Sequence, residues 1–298
     1  MTQLCAYGTE ASEAALRKHV DKLTEGPGYR NYTDTVALNH TGQYIYEQFS
    51  GLTKETYIQS FLSKGKKYNN VYATFGPVNA PRIIIGAHYD VFGDFPGADD
   101  NASGVAGLLE LARMLSETDQ SKWEVRIDLV AYSPEEPPYY GSQDMGSSIH
   151  ATSLHNNNTP VVGMVCLEMI GYFDDHKNSQ TYPSFLSGIF HRSTGDFIAV
   201  IHKPFAGKFA RLFTKEFTHG KSGTPTKVFR AAAWSKHVDM RTHKNYTRFK
   251  WPSVLVTDCT RYRNIYYHTA DDKPETLDYL RMSSVVTKVY RAVTELTK

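Results

Sequence analysis

The segment from residue 83 to residue 101, IIIGAHYDVFGDFPGADDN, suggests the fold and the position of a functional site. Its apolar start, Ile83–Ala87, is typical of a strand that is buried on both faces. A helical apolar repeat follows from Ser103 to Leu115. One histidine and four aspartates lie between the two elements, and such groups are costly to bury unless they are paired or bind metal. We therefore expect this loop to supply metal ligands.

The composition is that of a globular protein. The chain has 298 residues, of which 41% are hydrophobic and 21% are charged, so it can bury a substantial core. Its 33 basic and 31 acidic residues give a net charge of +2, which argues against a general nucleic-acid or anionic-membrane surface. Because we find no internal repeat and no linker, we expect one domain over residues 1–298, with a helical N-terminal part over residues 1–65.

The cysteines and the N-terminus bear on the cellular compartment. Cys5, Cys166 and Cys259 are few and far apart, and the last two lie in apolar runs, so buried free thiols are expected. The first residues lack the pattern of a signal peptide, and no stretch has the apolar length of a membrane span. We therefore expect a cytoplasmic protein, with an exported protein whose signal peptide was removed as the alternative.

Strands alternate with helices along the chain. Helices are predicted over residues 11–24, 44–49, 57–62, 103–115, 204–217 and 277–296, and strands over residues 71–75, 82–87, 124–133, 161–169, 197–202 and 253–257. This alternation predicts an α/β fold, with a mostly parallel central sheet between two helical layers in a three-layer αβα arrangement. Ligands of such sheets bind at the carboxyl ends of the strands.

Five groups that can bind a metal fall at or after predicted strand ends. His88 follows one strand, Glu135 and Glu136 follow a second, Glu168 ends a third, and His268 lies beyond a fourth. Histidine nitrogen and carboxylate oxygen are the usual ligands of hydrolytic zinc sites. Each residue alone has an ordinary alternative, such as a solvated surface position, but their joint placement at one rim of a sheet indicates a metal centre.

A two-metal centre needs a bridging carboxylate. Asp99, which follows Pro96-Gly97-Ala98, is predicted to provide it, while Asp100 serves the local turn. Two adjacent glutamates after a strand point in different directions, so Glu136 can hold metal while Glu135 faces the water that bridges the metals. Glu135 is therefore the candidate general base. Asp90 is predicted to accept the second ring N–H of His88 and so fix its tautomer.

Two further segments have alternative interpretations. Gly104-Val105-Ala106-Gly107 is a weak candidate for a phosphate-binding loop, and close packing of a helix on the sheet is the preferred interpretation. The basic stretch from Lys236 to Lys250 could contact nucleic acid, but a solvated loop near the site is preferred.

Taken together, these residues resemble the family-28 metallopeptidases, the co-catalytic di-zinc exopeptidases related to leucyl aminopeptidases and glutaminyl cyclases. The matching segments are GAHYD at 86–90, PGADDNASGV at 96–105, PEE at 134–136, LEMIGY at 167–172 and YHTADD at 267–272. The resemblance implies a phosphorylase/hydrolase-like zinc exopeptidase fold over about residues 10–298 and two zinc ions as cofactors.

The resemblance also implies a role for each matching residue. His88 and Glu168 are expected at one zinc, Glu136 and His268 at the other, with Asp99 between them and Glu135 as the general base. A cis peptide bond is expected after the bridging aspartate, at Asp99–Asp100. The segment Ser235-Lys236-His237 matches a family motif only in part, since Lys236 replaces its acidic residue.

The activity implied is that of an aminopeptidase, whose partner is a peptide with a free N-terminus. Met169, Tyr172, Ile265 and Tyr267 flank the ligands and are predicted to line the substrate pocket. A glutaminyl cyclase remains an alternative, but that branch works with one zinc and does not need His88. A carboxypeptidase would need an arginine for the substrate carboxylate, and three are available: Arg230, Arg261 and Arg263. A non-catalytic binding module is disfavoured because the full ligand set is present. The oligomeric state is left open.

Overall fold

An eight-stranded mixed sheet forms the centre of the fold. The computed structural model describes residues 10–26, 28–182, 193–219, 223–230 and 241–298. The strands are β1 (Thr56–Ser63), β2 (Lys66–Phe75), β3 (Arg82–His88), β4 (Arg126–Tyr132), β5 (Val161–Glu168), β6 (Ile198–His202), β7 (Thr226–Arg230) and β8 (Ser253–Thr257). Their spatial order is β1-β2-β4-β3-β5-β8-β6-β7.

The four central strands of this sheet are parallel. β3 pairs with β4 and with β5 in parallel, and β5 pairs with β8 in parallel. The outer strands β1, β2 and β6 add antiparallel pairings. Because β4, β3, β5 and β8 run in the same direction, their carboxyl ends meet at one rim, which is where the sequence places the polar groups.

Helices cover both faces of the sheet. They are α1 (Glu13–Thr24), α2 (Thr35–Ser50), α3 (Gly104–Ser116), α4 (Gly146–Asn156), α5 (Gly207–Thr218), α6 (Arg241–Thr247) and α7 (Tyr279–Glu295). Side chains of α1, α2, α3, α5 and α7 belong to the larger apolar cluster on one face, and those of α4 and α6 belong to the smaller cluster on the other. The predicted three-layer α/β fold is thus confirmed.

The period of two along β3 explains this division. Ile83 and Ile85 join the larger cluster, whereas Ile84 joins the smaller one, and all three are fully buried. The β-branched run that the sequence presents therefore supplies apolar side chains to both faces at once. Full burial of such a side chain stabilises the fold by about 1.5–3 kcal/mol.

The largest error in the predicted elements lies near the N-terminus. Residues 57–62, expected as a helix, lie in strand β1, and the helix expected over 44–49 is the end of the longer α2. β1 pairs with β2 through a tight turn in which Lys64 and Gly65 both have positive φ. This turn geometry matches the right-handed twist of a hairpin and stabilises the extended conformation. The N-terminal part is therefore not wholly helical. Helices α4 and α6 and strand β7 were not predicted.

Several smaller predictions can be compared with the structure. Cys166 and Cys259 are buried free thiols, as expected, while Cys5 lies outside the described residues. A Cβ added to Gly107 would lie 3.1 Å from Ile170 Cδ1, which agrees with close packing of α3 on its neighbours. Across the described residues, we find no helix with the length and apolarity needed to cross a membrane.

Candidate metal centre

Two groups of potential metal ligands share one carboxylate at the rim of the sheet. The first group is His88, Asp100 and Glu168, and the second is Asp100, Glu136 and His268. Within each group the ligand atoms all lie within 4.8 Å of one another. Four of these five residues, all except Asp100, were predicted from the sequence as metal ligands. The β-strand ends bring them together from β3, β4, β5 and the loop after β8.

The shared carboxylate belongs to Asp100, which corrects the prediction of Asp99. Asp100 Oδ1 lies 3.3 Å from His88 Nε2, and Asp100 Oδ2 lies 3.0 Å from His268 Nε2. Asp99 instead points into the core, where its oxygens accept hydrogen bonds from the Gly171 N–H at 3.0 Å and from the Asn264 amide at 2.8 Å. Asp99 is fully buried, and burial raises the pKa of its carboxyl group.

The orientation of this turn is fixed from a distant part of the chain. Asp272 accepts the backbone N–H of Asp99 with Oδ1 and that of Asp100 with Oδ2, at 2.9 and 3.0 Å. Within the turn, the cis peptide bond is Asp100–Asn101, where the sequence analysis expected Asp99–Asp100. Both corrections move the assignment by one residue, and the shared position is the second aspartate of the pair.

The partner of His88 Nδ1 also differs from the prediction. Nδ1 lies 3.0 Å from the backbone carbonyl oxygen of Asp90, whereas the Asp90 carboxylate is 3.6 Å away. That carboxylate instead accepts the backbone N–H groups of Glu135 and Glu136 at 2.9–3.0 Å. Asp90 therefore ties β3 to the segment after β4, and its main chain rather than its side chain contacts the imidazole.

The His268 ring is held between two aromatic rings. Phe92 stacks on it with a centroid distance of 4.2 Å, and Tyr267 stacks on it at 3.8 Å. Such stacking fixes the ring plane and leaves the nitrogens at the ring edge available. The sequence analysis missed Phe92, because nothing in the sequence indicates that residue 92 meets residue 268.

Glu135 adjoins the ligand residue Glu136 in sequence but belongs to neither ligand group. Its Oε1 accepts the Ser147 N–H at 2.7 Å, and its Oε2 accepts the Ser147 hydroxyl at 2.8 Å and the Thr242 hydroxyl at 2.6 Å. The side chain is buried, and burial raises the pKa of Glu135 to about 7 despite these donors. Ser147 and Thr242, which the sequence analysis missed, fix the conformation of this carboxyl group.

The charges at the rim perturb one another strongly. Burial alone lowers the pKa of His88, but Glu168, Asp100 and Asp90 outweigh it and raise that pKa well above its ordinary value. For His268, Asp100 and Glu136 likewise outweigh burial and raise the pKa to about 9. Burial opposes ionisation of Asp100, yet the two histidines prevail and hold its pKa below the ordinary value. These shifts show that the carboxylates and imidazoles at the rim lie close enough to perturb one another's ionisation.

The donor set fits metal ions such as zinc. In the described part of the chain, Asp100 Oδ1 and His268 Nε2 are buried without a hydrogen-bond partner. Buried polar atoms without a hydrogen-bond partner are costly, and a cation in each ligand group would satisfy them, the first at Asp100 Oδ1 and the second at His268 Nε2. The set contains imidazole nitrogen and carboxylate oxygen, which suits zinc. The side chains of Glu136, Glu168 and His268 are 12%, 16% and 22% exposed, so this edge of the cluster opens to solvent.

The residues predicted to line a substrate pocket have very different environments. Met169 is fully buried, Tyr172 is almost buried, and Ile265 is 75% exposed beside the ligand loop. Tyr267 stacks on His268. Their contact with substrate remains a prediction, and the segment Ser235-Lys236-His237 lies outside the described residues.

One of the three arginines available to a carboxypeptidase is already engaged. Arg263 is buried, with its Nε donating to Gln180 Oε1 at 2.8 Å and its Nη1 donating to the Tyr172 carbonyl at 3.3 Å. Arg230 ends β7, which runs antiparallel to β8 in the sheet, so it lies toward the opposite rim. Arg261 is exposed, and its guanidinium group lies over the ring of Tyr262.

Two known proteins are similar in sequence to this chain. The uncharacterized protein YfbL of Escherichia coli is 38% identical over 290 residues, covering 93% of this chain and 86% of that protein. Leucine aminopeptidase 1 of Emericella nidulans is 23% identical over 287 residues, which cover 90% of this chain and 66% of that longer protein. Both similarities extend over most of the chain.

A solved structure shows the same fold. The glutaminyl cyclase of Porphyromonas gingivalis superposes with a TM-score of 0.72 at 19% identity, covering 97% of this chain and 99% of that one. A fold shared at this identity does not distinguish a peptidase from a cyclase. The model of peptidase family M28 matches residues 70–293, a range that includes every ligand described above. The chain therefore belongs to peptidase family M28.

Proposed function

We propose that the protein is a two-metal aminopeptidase that hydrolyses the first peptide bond of substrates with a free N-terminus. The observation that carries this proposal is the pair of ligand groups that share Asp100. His88 completes the first of these groups, and a one-metal site would not need it. Zinc is the proposed metal, because the donors are imidazole and carboxylate.

The proposed ligands divide between two ions. His88 and Glu168 would hold one, Glu136 and His268 the other, and Asp100 both. Zinc ions bound in this way lower the pKa of water and polarise a carbonyl group. The carboxylates of Asp90 and Asp272 hold the backbone of the ligand segments through the hydrogen bonds described above. The two rings that stack on His268 fix the orientation of its imidazole.

Glu135 is the proposed general base and acid. A carboxyl group with a pKa of about 7 can both accept and donate a proton near neutral pH. In the proposed reaction it takes the proton of the attacking water and passes it to the nitrogen of the leaving amine. Ser147 and Thr242 keep this carboxyl group in one conformation, so little reorganisation is needed during proton transfer.

The placement of the arginines favours a substrate amine over a substrate carboxylate. A carboxypeptidase would need an arginine for the carboxylate of its substrate. Of the three candidates, Arg263 is buried and donates to Gln180, and Arg230 lies toward the opposite rim. Arg261 is the remaining candidate, and the substrate panel described next distinguishes the two specificities.

The test is a substrate panel with zinc-loaded protein. We expect hydrolysis of aminoacyl p-nitroanilides with a free amine and no hydrolysis of their N-acetylated forms. Equal cleavage of the blocked forms contradicts the proposal. Cyclisation of an N-terminal glutamine without hydrolysis would identify a cyclase, and resistance of C-terminally amidated peptides alone would identify a carboxypeptidase.

A further inference from the structure

The loop between β3 and α3, which carries Asp100, is held by a short segment from the N-terminal part of the chain. Arg30 and Asn31 lie between α1 and α2, and they are 4% and 1% exposed. Both lie outside residues 70–293, the range that the M28 family model matches. Together they contact the loop at five positions between residues 91 and 97.

Arg30 holds the second half of the loop with its guanidinium group. Nη1 donates to the carbonyl oxygens of Pro96 and Leu23, at 2.5 and 2.9 Å, and Nη2 donates to the carbonyl oxygen of Gly97 at 2.5 Å. The planar fork of arginine can donate to two consecutive carbonyls at once, which the single ammonium of lysine cannot reproduce. Arg30 thus fixes the carbonyl groups of Pro96 and Gly97, which lie four and three residues before Asp100.

The first half of the loop is held by the backbone of Arg30 and by the side chain of Asn31. The carbonyl oxygen of Arg30 accepts the Val91 N–H at 3.0 Å. Asn31 Nδ2 donates to the Gly93 carbonyl at 2.6 Å and to Asp94 Oδ1 at 3.0 Å. Fixing the backbone of one flexible residue costs about 1–2 kcal/mol of conformational entropy. These hydrogen bonds offset that cost within the protein itself, so the loop is ordered before a ligand binds.

The positive charge of the guanidinium group also interacts with the carboxylates of Asp272, Asp100 and Asp90. Burial lowers the pKa of Arg30 to about 10, and Asp272, Asp100 and Asp90 act in the opposite direction. The space around Gly97 is correspondingly small, since an added Cβ would lie 3.1 Å from Arg30 Nη2 and 2.4 Å from the Asp100 carbonyl oxygen. The guanidinium group therefore packs directly against the backbone at Gly97, three residues before the shared carboxylate.

We propose that Arg30 and Asn31 are positioning residues that preorganise the Asp100 loop for metal binding. This inference rests on the proposed metal centre, because it assigns a function to residues that support it. Contacts that orient metal ligands from behind typically change affinity by about 10–100-fold. We expect a loss in this range for Arg30→Lys and Arg30→Met, and a loss of about 3–10-fold for Asn31→Ala, which retains the Arg30 contacts.

The experiment compares zinc affinity with fold stability in the full-length chain. Zinc affinity is measured on chelator-treated protein by competition with a chromophoric zinc chelator, and the unfolding temperature is measured on the same metal-free samples. Arg126→Met is the matched control. Arg126 is also buried, it donates to Asp128 and to the Val78 carbonyl, and it begins β4 at the opposite end of the sheet.

The two readouts separate positioning from general stability. We expect Arg126→Met to lower the unfolding temperature but to leave zinc affinity within about threefold of wild type, while both Arg30 variants weaken zinc binding. If Arg30→Met does not fold, Arg30→Lys makes the same comparison. Wild-type zinc affinity in a folded Arg30 variant overturns this inference alone. Failure of the wild-type protein to bind two zinc ions overturns the proposed function and this inference with it.

Discussion

The substitution Asp100→Asn tests the assignment of the shared carboxylate. It preserves the shape of the side chain and removes its charge. Both oxygens of Asp100 face ligand histidines, Oδ1 at 3.3 Å from His88 Nε2 and Oδ2 at 3.0 Å from His268 Nε2. One substitution therefore takes the only shared anion from both groups and leaves each with a single histidine and a single glutamate.

The size of the effect follows from this double role. Loss of a residue that merely supports a ligand costs about 10–100-fold in metal affinity. Loss of a ligand that serves both groups should reach at least the upper end of that range for each ion, or about 3 kcal/mol per ion. The assay is competition with a chromophoric zinc chelator on metal-free protein, with circular dichroism to verify the fold.

The neighbouring substitution Asp99→Asn is the matched control. Asp99 accepts hydrogen bonds from Gly171 and Asn264 and faces Asp258 in the core. An asparagine can keep the bond from Gly171 and donate its amide to Asp258, but it loses the bond from Asn264. This substitution should therefore lower stability, while zinc affinity falls by less than about tenfold. The reasoning is refuted if Asp100→Asn binds zinc within threefold of wild type, or if Asp99→Asn has the larger effect.

Three further predictions concern the proposed base, a buried histidine and a close contact in the sheet. Glu135→Gln should retain both zinc ions but reduce turnover by about 10²–10⁴-fold, measured as kcat on an aminoacyl p-nitroanilide. Burial, aided by the charge of Arg82, lowers the pKa of His150 to about 3, so its stabilising effect is complete above pH 6.5 and is lost as the pH falls. Between pH 6.5 and 4.5 this loss is roughly 2 kcal/mol. Denaturant unfolding of metal-free protein should therefore show a steeper loss of stability with falling pH in wild type than in His150→Gln. Gly86→Ala should lower stability by about 1–3 kcal/mol and reduce the unfolding temperature, because its Cβ would lie 2.2 Å from the Tyr132 ring.

Each of these predictions has a result that contradicts it. Full activity of metal-loaded Glu135→Gln would exclude this residue as the base. An identical pH dependence of unfolding in wild type and His150→Gln would show that the imidazole does not contribute. For the glycine, Gly51→Ala is the control, since the nearest atom to its added Cβ is 3.5 Å away. Equal unfolding temperatures for the two alanine variants would contradict the steric argument.

The corners of the site could be predicted because strand ends converge. The apolar runs of β3, β5 and β8 indicate buried parallel strands, and polar residues at their carboxyl ends must share a rim. This places His88 and Glu168 together without any knowledge of the loops. The order of the sheet was not needed, only the common direction of its central strands.

The choice between Asp99 and Asp100 could not be made in the same way. Adjacent residues in an irregular turn point in different directions, and the turn here is oriented by Asp272, whose side chain binds two backbone N–H groups more than 170 residues away in sequence. The role of Arg30 depends on a contact over 66 residues. Such long-range hydrogen bonds leave no periodic pattern in a single sequence.

Strand β1 shows why a local sequence pattern can fail to predict a strand. Its segment alternates poorly between apolar and polar residues, so the sequence lacks the pattern of a half-buried strand. In the structure the apolar side chains of Ile58 and Leu62 are exposed. The decisive information is the two-residue turn at Lys64 and Gly65, which pairs β1 with β2. The hairpin therefore depends on turn geometry more than on side-chain pattern.

The most direct test of the two-metal centre is anomalous diffraction at the zinc absorption edge from crystals of zinc-loaded protein. The proposed function predicts two peaks, one at the group formed by His88, Asp100 and Glu168 and one at the group formed by Asp100, Glu136 and His268. A single peak, or peaks that contact Asp99 in place of Asp100, would contradict the two-metal assignment on which the proposed function depends.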